Sequence, residues 1–220
     1  MAGKVKKSKP VGKKTRPKEV VSLPVSLEKS IEGKYFVGQS ETVIFGGDLN
    51  AWGALINPWN SAVNLYVNVF TITNITDLSF SAQIWFNSNP PGAGIKSDKI
   101  TPANTTLRPL RVPRTELKYQ GATNGVPQGG VNGYNREVPP FATVVGEEDG
   151  KFIIPPGGSY LIFLPSPGSR LITAKFAFGW WEEKIKCNAT AKTIPPMDRI
   201  KYRELELMKI KTAGARHING

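Results

Sequence analysis

The chain has 220 residues, 40% of them apolar and 10% aromatic, which is enough for one domain with a real core and lies outside the disordered class. It carries 22 glycines and 18 prolines, where an average chain has roughly 12% of the two together, and so turn-rich a composition argues against a helix bundle. A single cysteine excludes an internal disulfide framework, and a single histidine argues against a His-based metal site or catalytic triad.

The net charge of +12 is unevenly placed. Lys4, Lys6, Lys7, Lys9, Lys13, Lys14, Arg16 and Lys18 fall within residues 1–18, which hold no acid. Residues 197–220 are mildly basic, and the remainder is close to neutral. Residues 1–19 therefore read as a flexible basic arm with nothing to bury. No stretch reaches the ~18–20 apolar residues of a membrane span. The basic start also lacks the apolar run of a signal peptide. The chain is expected to be made in the cytoplasm without a signal peptide. If it reaches a spore or cell surface, it does so by deposition or lysis.

Residues 20–33 are amphipathic and are expected to pack along the body or to reach a neighbour, with 20–31 as a strand donor. From about Gly33 to Ala191 the pattern alternates with period two between turn signals, the mark of an antiparallel sandwich or barrel. Residues 63–73 form the clearest strand, with Val63, Leu65, Val67 and Val69 on one face and Tyr66, Phe70 and Ile72 on the other. Residues 79–86 follow, and the short turn at 74–77 predicts a hairpin between the two. The prolines of 87–94 (NSNPPGAG) end the second strand. Weaker strands are expected at 106–110, 116–119 and 143–145. A second hairpin is predicted from 160–164 and 171–181, joined by a Pro-Gly turn, with Ile172, Ala174, Phe176, Phe178 and Trp180 on one face. Residues 197–211 are the helix candidate of the C-terminal segment.

Catalytic signals are weak. His217 sits in a Gly-rich tail and Cys187 follows a charged run, with no partner for either. The phosphate-loop pattern is missing, because Lys7 stands where the first glycine belongs. Glu147-Glu148-Asp149 and Glu182-Glu183 could attract a hard cation, yet consecutive carboxylates before Gly150 read as a solvated turn. Sequons at Asn74, Asn104 and Asn188 are no more than chance provides. No cofactor and no metal are expected.

Two features point to binding. The eight basic residues of the arm suit a polyanion such as nucleic acid, bound by counterion release with little sequence preference. Trp52 and Trp59 lie in what reads as a loop, NAWGALINPWNSA, and exposed indoles there would stack on a sugar ring or sit in a subunit interface. Adjacent strand residues Trp180 and Trp181 face opposite sides, which makes one of them core and Trp181 a candidate interface residue.

GKYFVGQ (33–39), NAWGALINPWNSAVNLYVNVFTITN (50–74), QIWFNSNPPG (83–92), EEDGKFIIPPGG (147–158) and FGWWEE (178–183) together resemble an uncharacterised domain family found mainly in spore-forming Firmicutes. The resemblance covers about 33–185 and brings no activity and no site residues. It implies a bacterial origin, a β-rich domain and a role tied to sporulation or the cell surface. It speaks against a virus coat, although a basic arm on a sandwich is how many icosahedral coats are built.

The expectation is an all-β, jelly-roll-like antiparallel sandwich over 33–191, with a basic arm and donor segment at 1–32 and a helix or tail at 192–220. Its expected function is non-enzymatic: a structural subunit that associates with itself, in a spore-surface or cell-surface layer or fibre. Nucleic-acid packaging through the arm, and carbohydrate binding through the loop tryptophans, are the alternatives.

Overall fold

The computed structural model describes residues 22–185. Over these, one short helix, α1 (Val25–Ile31), precedes β1 (Tyr35–Gln39), β2 (Val43–Phe45), β3 (Asn50–Ile56), β4 (Val63–Asn74), β5 (Phe80–Phe86) and β6 (Ile95–Lys96). Then come β7 (Ile100–Pro102), β8 (Glu116–Thr123), β9 (Val131–Val138), β10 (Thr143–Ile154), β11 (Ser159–Leu164) and β12 (Ile172–Lys184). None of these elements is a helix long and apolar enough to cross a membrane. The arm, Cys187, Asn188, the 197–211 helix candidate and His217 lie outside the described residues.

Two six-stranded antiparallel sheets pack face to face. The first runs β10-β4-β12-β1-β7, with β2 also paired to β12; the second runs β6-β8-β3-β11-β5-β9. From β2 to β5, and again from β9 to β12, successive strands step from one sheet to the other, while β5 and β9 pair within the second sheet, the arrangement of a jelly roll. The expected all-β sandwich is what forms.

The same topology overturns both predicted hairpins. β4 lies between β10 and β12, whereas β5 lies between β11 and β9 in the opposite sheet. Likewise β11 pairs with β3 and β5, and β12 belongs to the first sheet. Each connection is an arch that crosses the core. Asn74 pins the first one. Its buried amide donates to the carbonyls of Leu78 and Pro139 at 2.7 and 2.9 Å, and its oxygen accepts from the Thr76 N–H at 2.9 Å.

β4 departs from uniform alternation. Val69 pairs with Gly179 but Val67 with Trp180, so Asn68 is an extra residue that reverses the phase of the strand. Phe70 and Ile72 consequently join Leu65 and Val67 in the core rather than facing away from them. Around them lie Phe45, Leu55, Ile84, Tyr160, Phe176 and Trp180, all essentially without solvent contact. Gly53 makes room for the Phe176 ring, which a Cβ there would meet at 2.6 Å.

Three further expectations need correction. Residues 106–110 form no strand and belong to a long irregular connection. Strands expected at 116–119 and 143–145 extend to Thr123 and Ile154, the latter through a four-residue bulge at 148–151. The donor segment is not extended over its second half, because Val25–Ile31 closes into helix after Pro24, a residue preset for entry to a first turn.

Candidate functional site

The ionisable side chains buried in the described fold are engaged in holding it together. Among the described residues no group of three or more His, Cys, Asp or Glu could hold a metal ion. The acidic run before Gly150 is a solvated turn at Glu147 and Asp149 but not at Glu148, which the bulge turns inward. The Tyr134 hydroxyl donates to Glu148 Oε1 at 2.5 Å and lies 3.1 Å from the Tyr160 hydroxyl, while Lys151 Nζ approaches Glu148 Oε2 at 3.3 Å. Burial first, and then hydrogen bonding to groups that favour the neutral phenol, push both tyrosines well above their usual range. β9 and β10 are edge strands of opposite sheets, so this cluster is a polar latch between them. Glu182 has a similar role: its carboxylate accepts the Arg114 and Thr115 N–H groups at 2.8–3.0 Å and fixes the chain entering β8.

The tryptophans fall in three different settings. Trp52 is on β3, not in a loop, and is wholly buried on the outer face of the second sheet. Its indole N–H donates to the Pro91 carbonyl at 2.8 Å. Gly94, at φ +68°, lies flat on the ring, where a Cβ would come within 2.3 Å. Residues 88–94 thus roof a small second core of Trp52, Ala54, Leu161 and Phe163. Trp59 is 78% exposed, with one ring face on the Gly157 backbone. Trp181 points out of the first sheet yet is only 4% exposed. It stacks on Tyr66 at 5.3 Å and 7° and on Tyr35 at 6.4 Å. Neither Trp52 nor Trp181 is therefore open to a ligand or a neighbour, and Trp59 alone of the three is.

The outer face of the first sheet stands out as a surface. Strand register lays its outward residues in rows across the sheet. The aromatic row is Ile153, Tyr66, Trp181 and Tyr35. Below it come Glu147, Val69, Gly179, Val37 and Thr101, then Val145, Thr71, Ala177 and Gln39. Thr143, Thr73 and Lys175 follow, and Ile44 beside Thr173 ends the face. Outward positions of a solvated antiparallel sheet are normally polar and often charged. Here the middle is valine, threonine, alanine and glycine, with Glu147 and Lys175 at the margins.

Small residues at its centre leave a trough of about 410 Å³ floored by Gly179 and Ala177 and walled by Val37, Val69 and Thr71. Gly179 is required there, since a Cβ would lie 2.4 Å from the Tyr35 hydroxyl and 2.8 Å from Val69. That hydroxyl is held by the Asn68 amide at 2.8 Å, so the bulge residue of β4 also sets the aromatic end of the trough. Lys99, paired with Glu41 at 2.5 Å, closes the other end. Val145, Ile153 and Ile44, each more than half exposed, stand up around it. The face holds both a recess and apolar projections, and carries no free charge over its centre. Sequence reasoning missed it because its rows come from six strands distant in the chain.

Residues 10–187 match the model of a family of unknown function (DUF6143), and the chain belongs to that family. Neither a curated protein nor a solved structure matches it.

Proposed function

We propose that this member of a family of unknown function is a non-enzymatic structural subunit that associates with copies of itself through the outer face of its first sheet, within a spore-surface or cell-surface layer. The observation that carries the reading is the uncharged, β-branched middle of that face. At about 4.8 Å between strands and 3.4 Å per residue, the whole face, from β10 to β7 and from the aromatic row to Ile44, measures roughly 20 by 27 Å, or about 500 Å². Two such faces bury roughly 1,000 Å² together, the lower bound of a specific interface. A two-fold arrangement needs one self-complementary patch, and a recess flanked by projections is such a patch. Because the body is nearly neutral and the face centre uncharged, identical surfaces meet without repulsion.

The experiment is light scattering coupled to size exclusion at low and high salt, on the wild-type chain and Val145→Lys. The wild type should run as an assembly at both salt concentrations, since apolar contacts are not screened. Val145→Lys, a change on an exposed projection, should shift it to monomer. A wild-type monomer, or an unchanged mass for the variant, would refute the reading.

A carbohydrate-binding reading retains Trp59, whose outer ring face is open. It predicts that Trp59→Ala abolishes retention on a glycan column that holds the wild type, and an unretained wild type dismisses it.

A further inference from the structure

The end of the sandwich at which β12 finishes carries a helix turned inside out. α1 faces the body with Ser26, Lys29 and Ser30, and Lys29 Nζ lies 2.8 Å from Glu183 Oε1. Leu27 and Ile31, one turn apart on the helix, are both exposed, as are Val25 in its first turn and Leu23 ahead of it. An ordinary surface helix does the reverse, burying its apolar stripe and wetting its polar one. The neighbouring 103–115 connection is tied to the helix by the Asn104 amide, which donates to the Ile31 carbonyl at 3.3 Å. It adds exposed Leu110 and Val112, the latter 84% exposed.

Next to α1, and bordered by Val112, lies a crevice of about 560 Å³ lined by Gly33, Lys34, Arg111, Arg114 and the end of β12. Its two carboxylates are already occupied: Glu182 by backbone N–H groups of the 114–115 turn, and Glu183 by Lys29 and Lys34. Arg111, Arg114 and Lys184 form no ion pair among the described residues. The crevice is thus cationic.

Aliphatic side chains around an uncommitted cationic crevice match one class of partner. Polynucleotide would satisfy the cations and leave the aliphatic tips in water, and no aromatic stands among them for base stacking. A second copy would satisfy the tips and bring cations against cations. An anionic bilayer accepts both, aliphatic groups entering below the headgroups and cations meeting phosphates. We infer that this end docks on an anionic lipid bilayer, with Leu27, Ile31, Leu110 and Val112 entering the interface and Arg111, Arg114 and Lys184 receiving headgroup phosphates. The surface is separate from the outer face of the first sheet, so docking stands or falls independently of self-association.

The test is co-sedimentation of the full chain with vesicles of phosphatidylcholine and phosphatidylglycerol, and with pure phosphatidylcholine, at low and high salt. The wild type should pellet with the anionic vesicles and retain part of that binding at high salt. Leu27→Glu/Ile31→Glu should weaken binding roughly a hundredfold, as each large aliphatic side chain buried is worth at least a decade of affinity. Val112→Glu, in an irregular segment where folding is not at stake, should weaken it about tenfold by the same reasoning. Val145→Lys should bind as the wild type does. Three results overturn the inference. One is a wild type that stays in the supernatant. Another is binding equal in all variants and lost in high salt, which assigns it to residues 1–18. The third is a Leu27→Glu/Ile31→Glu chain with altered solution mass but unaltered vesicle binding, which assigns the stripe to a second copy.

Discussion

The two outer faces of this sandwich share one difficulty and differ in how it is met. Each presents apolar side chains on the side of a sheet away from the core. On the second sheet the chain itself supplies the cover: residues 88–94 cross the face, and Trp52, Leu161 and Phe163 lose all but a trace of solvent contact. Its two prolines cannot donate to a ladder, so the segment lies over the sheet instead of joining its edge. On the first sheet the described chain supplies no such cover. Only Trp181 is closed over, by Tyr35 and Tyr66, and Val37, Val145 and Ile153 stay in water. An apolar face covered in cis stabilises the fold, whereas one left open becomes available for assembly.

Substitutions on the two faces should therefore separate stability from association. The largest effect is expected at Trp52→Ala, which empties the second core and orphans the Pro91 carbonyl. Loss of about 3–5 kcal/mol in denaturant unfolding is expected, without a specific change in how the folded chain associates. A loss below about 1 kcal/mol would mean that the roof is not a packed core. Gly94→Val should follow at about 2 kcal/mol, because the new side chain meets the Trp52 ring at positive φ. On the open face, Thr71→Lys should leave the unfolding midpoint within about 0.5 kcal/mol of wild type while reducing assembly. A large stability loss there would erase the distinction between the faces.

The smallest effect concerns the attachment of α1. Burial raises the Glu183 carboxyl, but hydrogen bonds from Lys29 and Lys34 outweigh it and hold the group below its usual 4.5. Glu32 is lowered in the same direction, first by its hydrogen bond from Lys34. A carboxyl lowered on folding contributes fully above its unfolded value and loses that contribution as pH falls through the folded one. Protection of α1 amides from hydrogen exchange should accordingly drop on acidification below about pH 4.5, and Glu183→Gln should show the drop already at neutral pH. Equal protection in wild type and Glu183→Gln at neutral pH would remove these ion pairs from the account.

Much of the core was legible in the sequence, because burial follows period-two alternation wherever a strand is regular. Ile172, Ala174, Phe176, Phe178 and Trp180 read inward and are inward. What local pattern could not supply was which strand pairs with which. A four-residue turn and a five-residue arch carry the same polar residues, and only the neighbours of β4 and β5, far away in sequence, decide between them. The bulge at Asn68 did leave a trace, the doubled apolar pair Val69-Phe70, where alternation would have placed one apolar residue. Trp52 was misplaced for a related reason. Its strand is apolar on both faces, so NAWGALI shows no alternation, and flanking Asn and Gly suggested a loop. The open face itself was illegible, since Gly179, Ala177, Val37, Val69 and Val145 become neighbours only after the sheet is assembled.

The most direct test of the central claim is the solution mass of Ala177→Glu, measured by light scattering beside its unfolding midpoint. The substitution puts a charge into the floor of the trough while leaving the core side of β12 untouched. The account predicts a folded monomer, with a midpoint close to that of wild type, where the wild type is an assembly. A folded Ala177→Glu chain with the wild-type assembled mass would contradict it.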